Sequence, residues 1–303
     1  MGTVLEELSA AVKGAAANVG PSVVGVGAGG SGVVVSAGVV VTNAHNLRGE
    51  ETVVTFADGR RASGRATGVD IDGDLAVVAV DTAAAPVVDW STTPAGIGDA
   101  VLGLANPGGR GLRASVGFVS AVDVSFRGPG GRKVGGALEH TAPLARGSSG
   151  GPLVDSAGRL VGIDTHRIGD GFYLAVPADA ELKSRVDALA RGEVPARPRL
   201  GIAVAPAHVA RRLRRSVGLA DREGILVRAV EDGGPAGRAG ISPGDLVVAV
   251  AGTAVATVDD LAAALQGVGP GAPVEISVVR GVEELTVRAT IGDPGPAETD
   301  PAD

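Results

Sequence analysis

Three short segments, TNAH, DGDLAVVAV and GSSGGPLV, occur in that order and hold a histidine, an aspartate and a serine that could together run nucleophilic catalysis. A hydroxyl is a poor nucleophile at neutral pH. It needs an adjacent base, and the base needs a third group to hold its tautomer and stabilise its charge. Of the four histidines, His45, His140, His166 and His208, only His45 ends a strand-like run in small-residue surroundings (VVVTNAHNL), which makes it the leading base. Asp70, Asp72 and Asp74 crowd into GVDIDGDLAVVAV. Asp74 directly leads the apolar run, where a carboxylate would be partly buried and need a hydrogen-bonded partner, so it is the expected orienter. Ser149 sits in a glycine turn whose missing side chains let a substrate carbonyl approach the main-chain amides of Gly147, Ser148 and Ser149, the expected oxyanion hole.

Other chemistries fit less well. Asp70-x-Asp72-x-Asp74 with Asp81 at the twelfth place has the outline of a calcium loop, but the sixth place is Leu75 rather than glycine and a strand follows, so no metal is expected. Gly27-x-Gly29-x-x-Gly32 leads into a strand where a dinucleotide site requires a helix, so no cofactor is expected. The absence of cysteine excludes thiol chemistry, cysteine-ligated zinc and disulfides. A net charge of −7 gives no basic face for nucleic acid. The one basic cluster, Arg211, Arg212, Arg214 and Arg215, reads as a solvated helix face.

The elements that must position these residues are mostly strands. The 303 residues suffice for two packed domains, and Val, Ala, Leu and Ile dominate while aromatics are only 2%, with 49 glycines to close turns. Many short β-branched runs at near-regular spacing indicate a barrel or sandwich between residues 20 and 178. Residues 3–18 have a helical period ended by Gly20-Pro21, and residues 178–192 also read as a helix. The expected organisation is a helical segment over 1–19, a first domain over 20–190, a linker over 191–199, a small α+β domain over 200–292, with helices in AHVARRLRRSVGL and VDDLAAALQG, and a disordered Pro-rich acidic tail over 293–303. Met1 to Gly20 holds no apolar stretch of leader or membrane length. The expectation is therefore a cytoplasmic chain without a membrane segment; a natural start upstream of Met1 would make it extracytoplasmic.

The three motifs, with GSGVVVSAG, LANPGG and ASVGFVSAV around them, resemble the HtrA (DegP-like) branch of the chymotrypsin-fold serine proteases over roughly residues 20–178. The resemblance implies a double β-barrel with the site in the cleft between barrels, His45 as general base, Asp74 as orienter and Ser149 as nucleophile. Two departures are visible: Ser148 stands where the family usually has Asn, and Arg146 where it usually has Pro. RLGI at 199–202 and GGPAGRAGISPGDLVVAVAGTAV followed by VDDLAAALQ resemble an HtrA-type PDZ domain. That implies that Leu200, Gly201 and Ile202 receive a peptide C-terminal carboxylate while the peptide adds as a strand.

The function implied is a serine endopeptidase that cleaves unfolded or damaged polypeptides, with PDZ-mediated peptide binding or regulation; the rival is a non-catalytic peptide-binding scaffold or chaperone. The family commonly forms homotrimers through N-terminal aromatic residues, of which Met1 to Gly20 has none. His166, on the strand that the resemblance makes a wall of the specificity pocket, reads first as a partly exposed strand histidine, with tuning of side-chain preference as the alternative, and His208 is expected to lie on a helix surface. Ala142, Pro143, Leu144 and Ala145 carry no carboxylate for a basic side chain, so cleavage after small or medium aliphatic residues is expected.

Overall fold

Val-rich runs closed by glycine turns form antiparallel strands in the structure, a computed structural model that describes residues 3–127, 133–169, 171–193, 199–205, 207–265, 268–269 and 271–292. The chain divides into two units, Met1–Pro195 and Ala196–Asp303. The expected linker falls mostly, and the acidic tail wholly, outside the described residues. Among the described residues no helix is long and apolar enough to cross a membrane.

The first unit begins with α1 (Val4–Val19). Thr3 and Glu6 close a capping box at its start, and a turn at Gly20–Ser22 containing Pro21 ends it. Ala15 and Val19 are buried in the core of the unit, so the segment expected as a separate N-terminal piece packs into the first domain.

Two closed barrels follow. One is built from β1 (Val23–Val26), β2 (Gly30–Ser36), β3 (Val39–Thr42), β4 (Glu51–Thr55), β5 (Arg61–Asp70) and β6 (Leu75–Ala79), in the order β1-β2-β3-β6-β5-β4. The other is built from β7 (Ala100–Ala105), β8 (Arg113–Arg127), β9 (Lys133–His140), β10 (Pro152–Val154), β11 (Leu160–Gly169) and β12 (Phe172–Pro177), in the order β10-β11-β12-β9-β8-β7. β2 shows why its run VVV is unbroken. Successive side chains point to opposite faces. Val34 joins Val24, Val26, Val40, Val54 and Val78 in one cluster, while Val33 and Val35 join a layer shared with Leu102, Leu104, Leu160 and Ile163 of the other barrel. Both faces are dry, and a strand dry on both faces has no polar alternation.

α2 (Ala180–Ala190) closes the unit. Asp179 caps it by accepting from the Leu182 amide at 2.8 Å, and Leu182, Val186 and Leu189, one stripe at helical spacing, enter the same shared layer. Arg185 on this helix pairs with Asp70.

The second unit is the expected α+β module: a sheet in the order β13-β14-β15-β17-β18, with β13 (Ile202–Ala205), β14 (Ile225–Val230), β15 (Leu246–Val250), β17 (Pro273–Arg280) and β18 (Glu283–Thr290), and a short β16 (Thr253–Ala254) beside β15. α3 (Ala207–Ser216), α4 (Pro235–Arg238) and α5 (Val258–Leu265) accompany it. In the arginine cluster on α3, Arg211, Arg212 and Arg215 keep solvent-accessible side chains and Arg214 alone departs from the expected solvated face. Arg214 is buried, its Nε donating to the Ala220 carbonyl at 3.2 Å, while Arg211 and Arg215 pair with Glu223 and Asp221. The chain that follows α3 folds back and supplies acceptors the sequence pattern does not display. The side chain of His208 lies outside the described residues.

Candidate active site

β3 and β6 are hydrogen-bonded neighbours with Thr42 opposite Ala76, so His45, three residues past Thr42, and Asp74, two before Ala76, arrive at the same end of the first barrel. Asn43 fixes the junction by donating from Nδ2 to the Asp74 carbonyl at 2.8 Å. Asp74 is fully buried and takes a left-handed backbone, φ 49°, a conformation that aspartate tolerates better than most residues. His45 Nδ1 lies 2.9 and 2.8 Å from the two Asp74 carboxylate oxygens, and the His45 amide donates to Oδ1 at 3.2 Å. Thr165 Oγ1 on β11 donates to Oδ2 at 2.6 Å. These donors compensate a charge that would otherwise be stranded in the core. They also place the His45 proton on Nδ1, leaving Nε2 free to accept one.

The Ser149 loop belongs to the second barrel but is gripped by the first. The Ser31 amide and Asn46 Nδ2 both donate to the Ser149 carbonyl, at 3.0 and 2.8 Å, and Ser31 Oγ donates to the Gly147 carbonyl at 2.8 Å. Gly147 and Gly150 both have φ 87°, and a Cβ there would lie 2.0 Å from the Gly29 carbonyl oxygen and 2.2 Å from that of Ser31. No other residue type fits either position. Among the described residues neither the Gly147 nor the Ser149 amide has a main-chain acceptor, whereas the Ser148 amide donates to the Ala145 carbonyl at 3.1 Å. The expected three-amide hole therefore loses Ser148, whose N–H is turned inward to close its own turn. The Ser149 hydroxyl donates to the Thr165 carbonyl at 2.8 Å, and no hydrogen bond joins it to His45 among the described residues.

Asp70, four residues before Asp74 in sequence, engages Arg185 and the Gly73 amide. Sequence reading missed Thr165, which contacts both Asp74 and Ser149, and Asn46, which holds the Ser149 carbonyl. The one available signal was their position, each directly beside a residue already singled out. His166 packs against the site, its ring 5.9 Å from that of His45 and 5.1 Å from that of Phe126. Burial pushes its pKa down; Asp74 pulls it back up and His45 adds to the lowering. His140 is fully buried with Nε2 3.1 Å from Asp164 Oδ1, a pair separate from the His45–Asp74 contact.

In the second unit the Leu200 carbonyl accepts from the Ala236 amide and the Gly201 carbonyl from the Glu231 amide, both at 2.8 Å. Across a trans peptide the next N–H points the opposite way. The amides of Gly201 and Ile202 are thus turned from those partners. β13, which begins at Ile202, pairs with β14 alone among the described strands and leaves an open edge.

Residues 30–163 match the trypsin-like peptidase domain family, and residues 198–291 match the PDZ domain family. The chain is 32% identical to a putative serine protease HhoA of Synechocystis sp. over 85% of this chain and 69% of the relative. It is 31% identical to a probable periplasmic serine endoprotease DegP-like of Brucella suis over 86% of this chain and 52% of the relative. The chain spans about half to two thirds of the length of most such relatives. Among solved structures, an HtrA-type protease AlgW with a decapeptide superposes with a TM-score of 0.72 at 25% identity, covering 94% of this chain and 99% of that one. A serine endoprotease from Yersinia pestis gives 0.70 at 28% identity, covering 94% and 98%.

Proposed function

The chain belongs to the HtrA family of trypsin-like serine proteases with a PDZ domain, and from that premise we propose that it is a serine endopeptidase that cleaves unfolded or damaged polypeptides through an acyl-enzyme. The observation that carries this is the buried Asp74 held on His45 Nδ1 in the same site as a serine on a glycine turn with two amides that have no main-chain acceptor among the described residues. Ser149 Oγ leaves the Thr165 carbonyl, gives its proton to His45 Nε2 and attacks the scissile carbonyl. The Gly147 and Ser149 amides receive the oxyanion, and Asp74 stabilises the imidazolium. His45 returns the proton to the leaving amine, then activates the water that releases the acid.

The seat of the Ser149 hydroxyl on Thr165 supports a resting enzyme whose Ser–His hydrogen bond forms when substrate arrives. Casein hydrolysis by the purified chain and none by Ser149→Ala is the expected result. Retained peptide binding with no hydrolysis by the parent would instead favour the scaffold reading.

The apolar, uncharged run Ala142–Ala145 supports cleavage after small or medium aliphatic residues. Product mapping dominated by cuts after Lys or Arg would refute this. The amides of Leu200, Gly201 and Ile202 receive a peptide C-terminal carboxylate while the peptide extends the sheet at β13. A peptide with a free C-terminus should bind and its amidated counterpart should not. Val4, Leu5 and Leu8, exposed on α1, supply apolar surface for a homotrimer. Light scattering at three times the chain mass is the expected result.

A further inference from the structure

His166 is not needed for the chemistry above, yet its ring is held against the site from two sides. Phe126 of β8 packs on it at 5.1 Å and 41°, and His45 meets it edge-on at 5.9 Å and 80°. Its Nδ1 lies 3.0 Å from Thr165 Oγ1 and 3.8 Å from Asp74 Oδ2. Thr165 has one hydroxyl proton. The 2.6 Å contact to a carboxylate, which can only accept, takes that proton. Thr165 Oγ1 therefore meets His166 as an acceptor, and His166 must carry its proton on Nδ1.

We propose that His166 is a positioning residue of the triad: its Nδ1–H holds Thr165 Oγ1, whose proton holds Asp74 Oδ2, so that a second histidine buttresses the carboxylate that orients His45. The chain of donors runs one way, from His166 through Thr165 to Asp74, and meets there the Nδ1–H of His45. Hydrogen bonds in such a chain polarise one another, so strengthening the first tightens the second. The groups facing His166 are His45, Asp74, Thr165 and Phe126. Burial, aided by His45 and opposed by Asp74, lowers the His166 pKa and so favours the neutral ring, the form in which it donates from Nδ1 without adding a second positive charge beside the imidazolium.

The inference rests on the serine endopeptidase reading, and its test can fail separately. His166→Leu keeps bulk against Phe126 but removes the donor, whereas His166→Asn restores an N–H near the Nδ1 position. A single hydrogen bond sets the scale of the effect. The Leu variant should lose about five- to tenfold in kcat with KM within about twofold of the parent, and the Asn variant should recover most of that loss. Adding His166→Leu to Thr165→Val should cost little more than Thr165→Val alone, since both act through one hydroxyl. The downfield proton resonance of His45 Nδ1–H, recorded on the parent and on the Ser149→Ala background, should move in the Leu variant and return in the Asn variant. That resonance reads the relay even if the parent proves unable to hydrolyse peptides, which would sink the enzyme reading and not this one. Parental kcat and an unmoved resonance in His166→Leu would overturn the proposal. So would an Asn variant as impaired as the Leu variant, or a change confined to KM and cleavage-site profile, which would make His166 a substrate contact.

Discussion

Replacing His140 by leucine should cost the first unit far more stability than replacing Asp164 by asparagine, although each change removes one member of the same pair. Both side chains are fully buried. Nε2 and Oδ1 are 3.1 Å apart but poorly aligned, and neither side chain makes a well-formed hydrogen bond among the described residues. Burial pushes the Asp164 carboxyl above its ordinary range, and the adjacent His140 pulls it part of the way back. His140→Leu keeps approximate volume between the partners of β9, Val119 and Tyr173, but strands a carboxylate in the barrel. Breaking a buried pair in this way costs about 3–5 kcal/mol. For a domain of this size that is on the order of 10 °C in Tm. Asp164→Asn removes the charge and leaves an imidazole that can be neutral, so its cost should stay under about 1.5 kcal/mol.

The pH dependence has a definite sign. A carboxyl whose folded pKa is raised favours the folded state fully below the unfolded carboxylate range and loses that contribution as pH rises through the folded value. In His140→Leu the folded value rises further, so the deficit against the parent should narrow as pH falls from 7.5 towards 5. Calorimetry of the intact chain, following the transition of the first unit at several pH values, measures both effects. Equal losses in the two variants, with no narrowing in acid, would refute the reasoning.

Gly147→Ala forces a Cβ to 2.0 Å from the Gly29 carbonyl oxygen at φ 87°, so it should lower kcat by more than about 100-fold, the scale of losing one oxyanion donor. Gly49→Ala, with open space around its Cβ, should stay near parental in the same peptide assay. Thr165→Val removes a 2.6 Å donor to the Asp74 carboxylate and should lower kcat by roughly 10- to 100-fold, the value of a hydrogen bond to a charged group. In the second unit, Arg280 contacts both oxygens of the buried Asp245 at 2.8 Å. Burial pushes that carboxyl up, but Arg280 and the Ser242 amide outweigh it and hold it below its ordinary value. Arg280→Ala should therefore cost about 2 kcal/mol in urea denaturation at pH 7. That deficit should shrink as pH falls through the carboxylate range, because a depressed carboxyl stabilises only above it.

The barrels were legible because β2, β3 and β6 are dry on both faces and bounded by turn residues, and the order of three motifs tied them to one active-site frame. His45 and Asp74 were legible because strand ends flank them on neighbouring strands. Which amides of the Gly147–Ser149 turn stay unengaged was not, since that depends on how Ser148 closes its own turn on Ala145. The burial of Arg214 depends on the path of the chain at Ala220. The pairing of His140 with Asp164 joins two strands through the barrel interior, and no periodicity in either strand announces it. Thr165 hid for a different reason: threonine is an ordinary strand residue, and only the fold brings it to Asp74.

The central claim is that Ser149 is a nucleophile activated by His45, and mass spectrometry after treatment with a fluorophosphonate probe tests it most directly. The account predicts one equivalent of probe on the peptide containing Ser149, with labelling slowed at least about 100-fold in His45→Ala and absent in Ser149→Ala. An unlabelled parent, or probe attached to another serine, would contradict it.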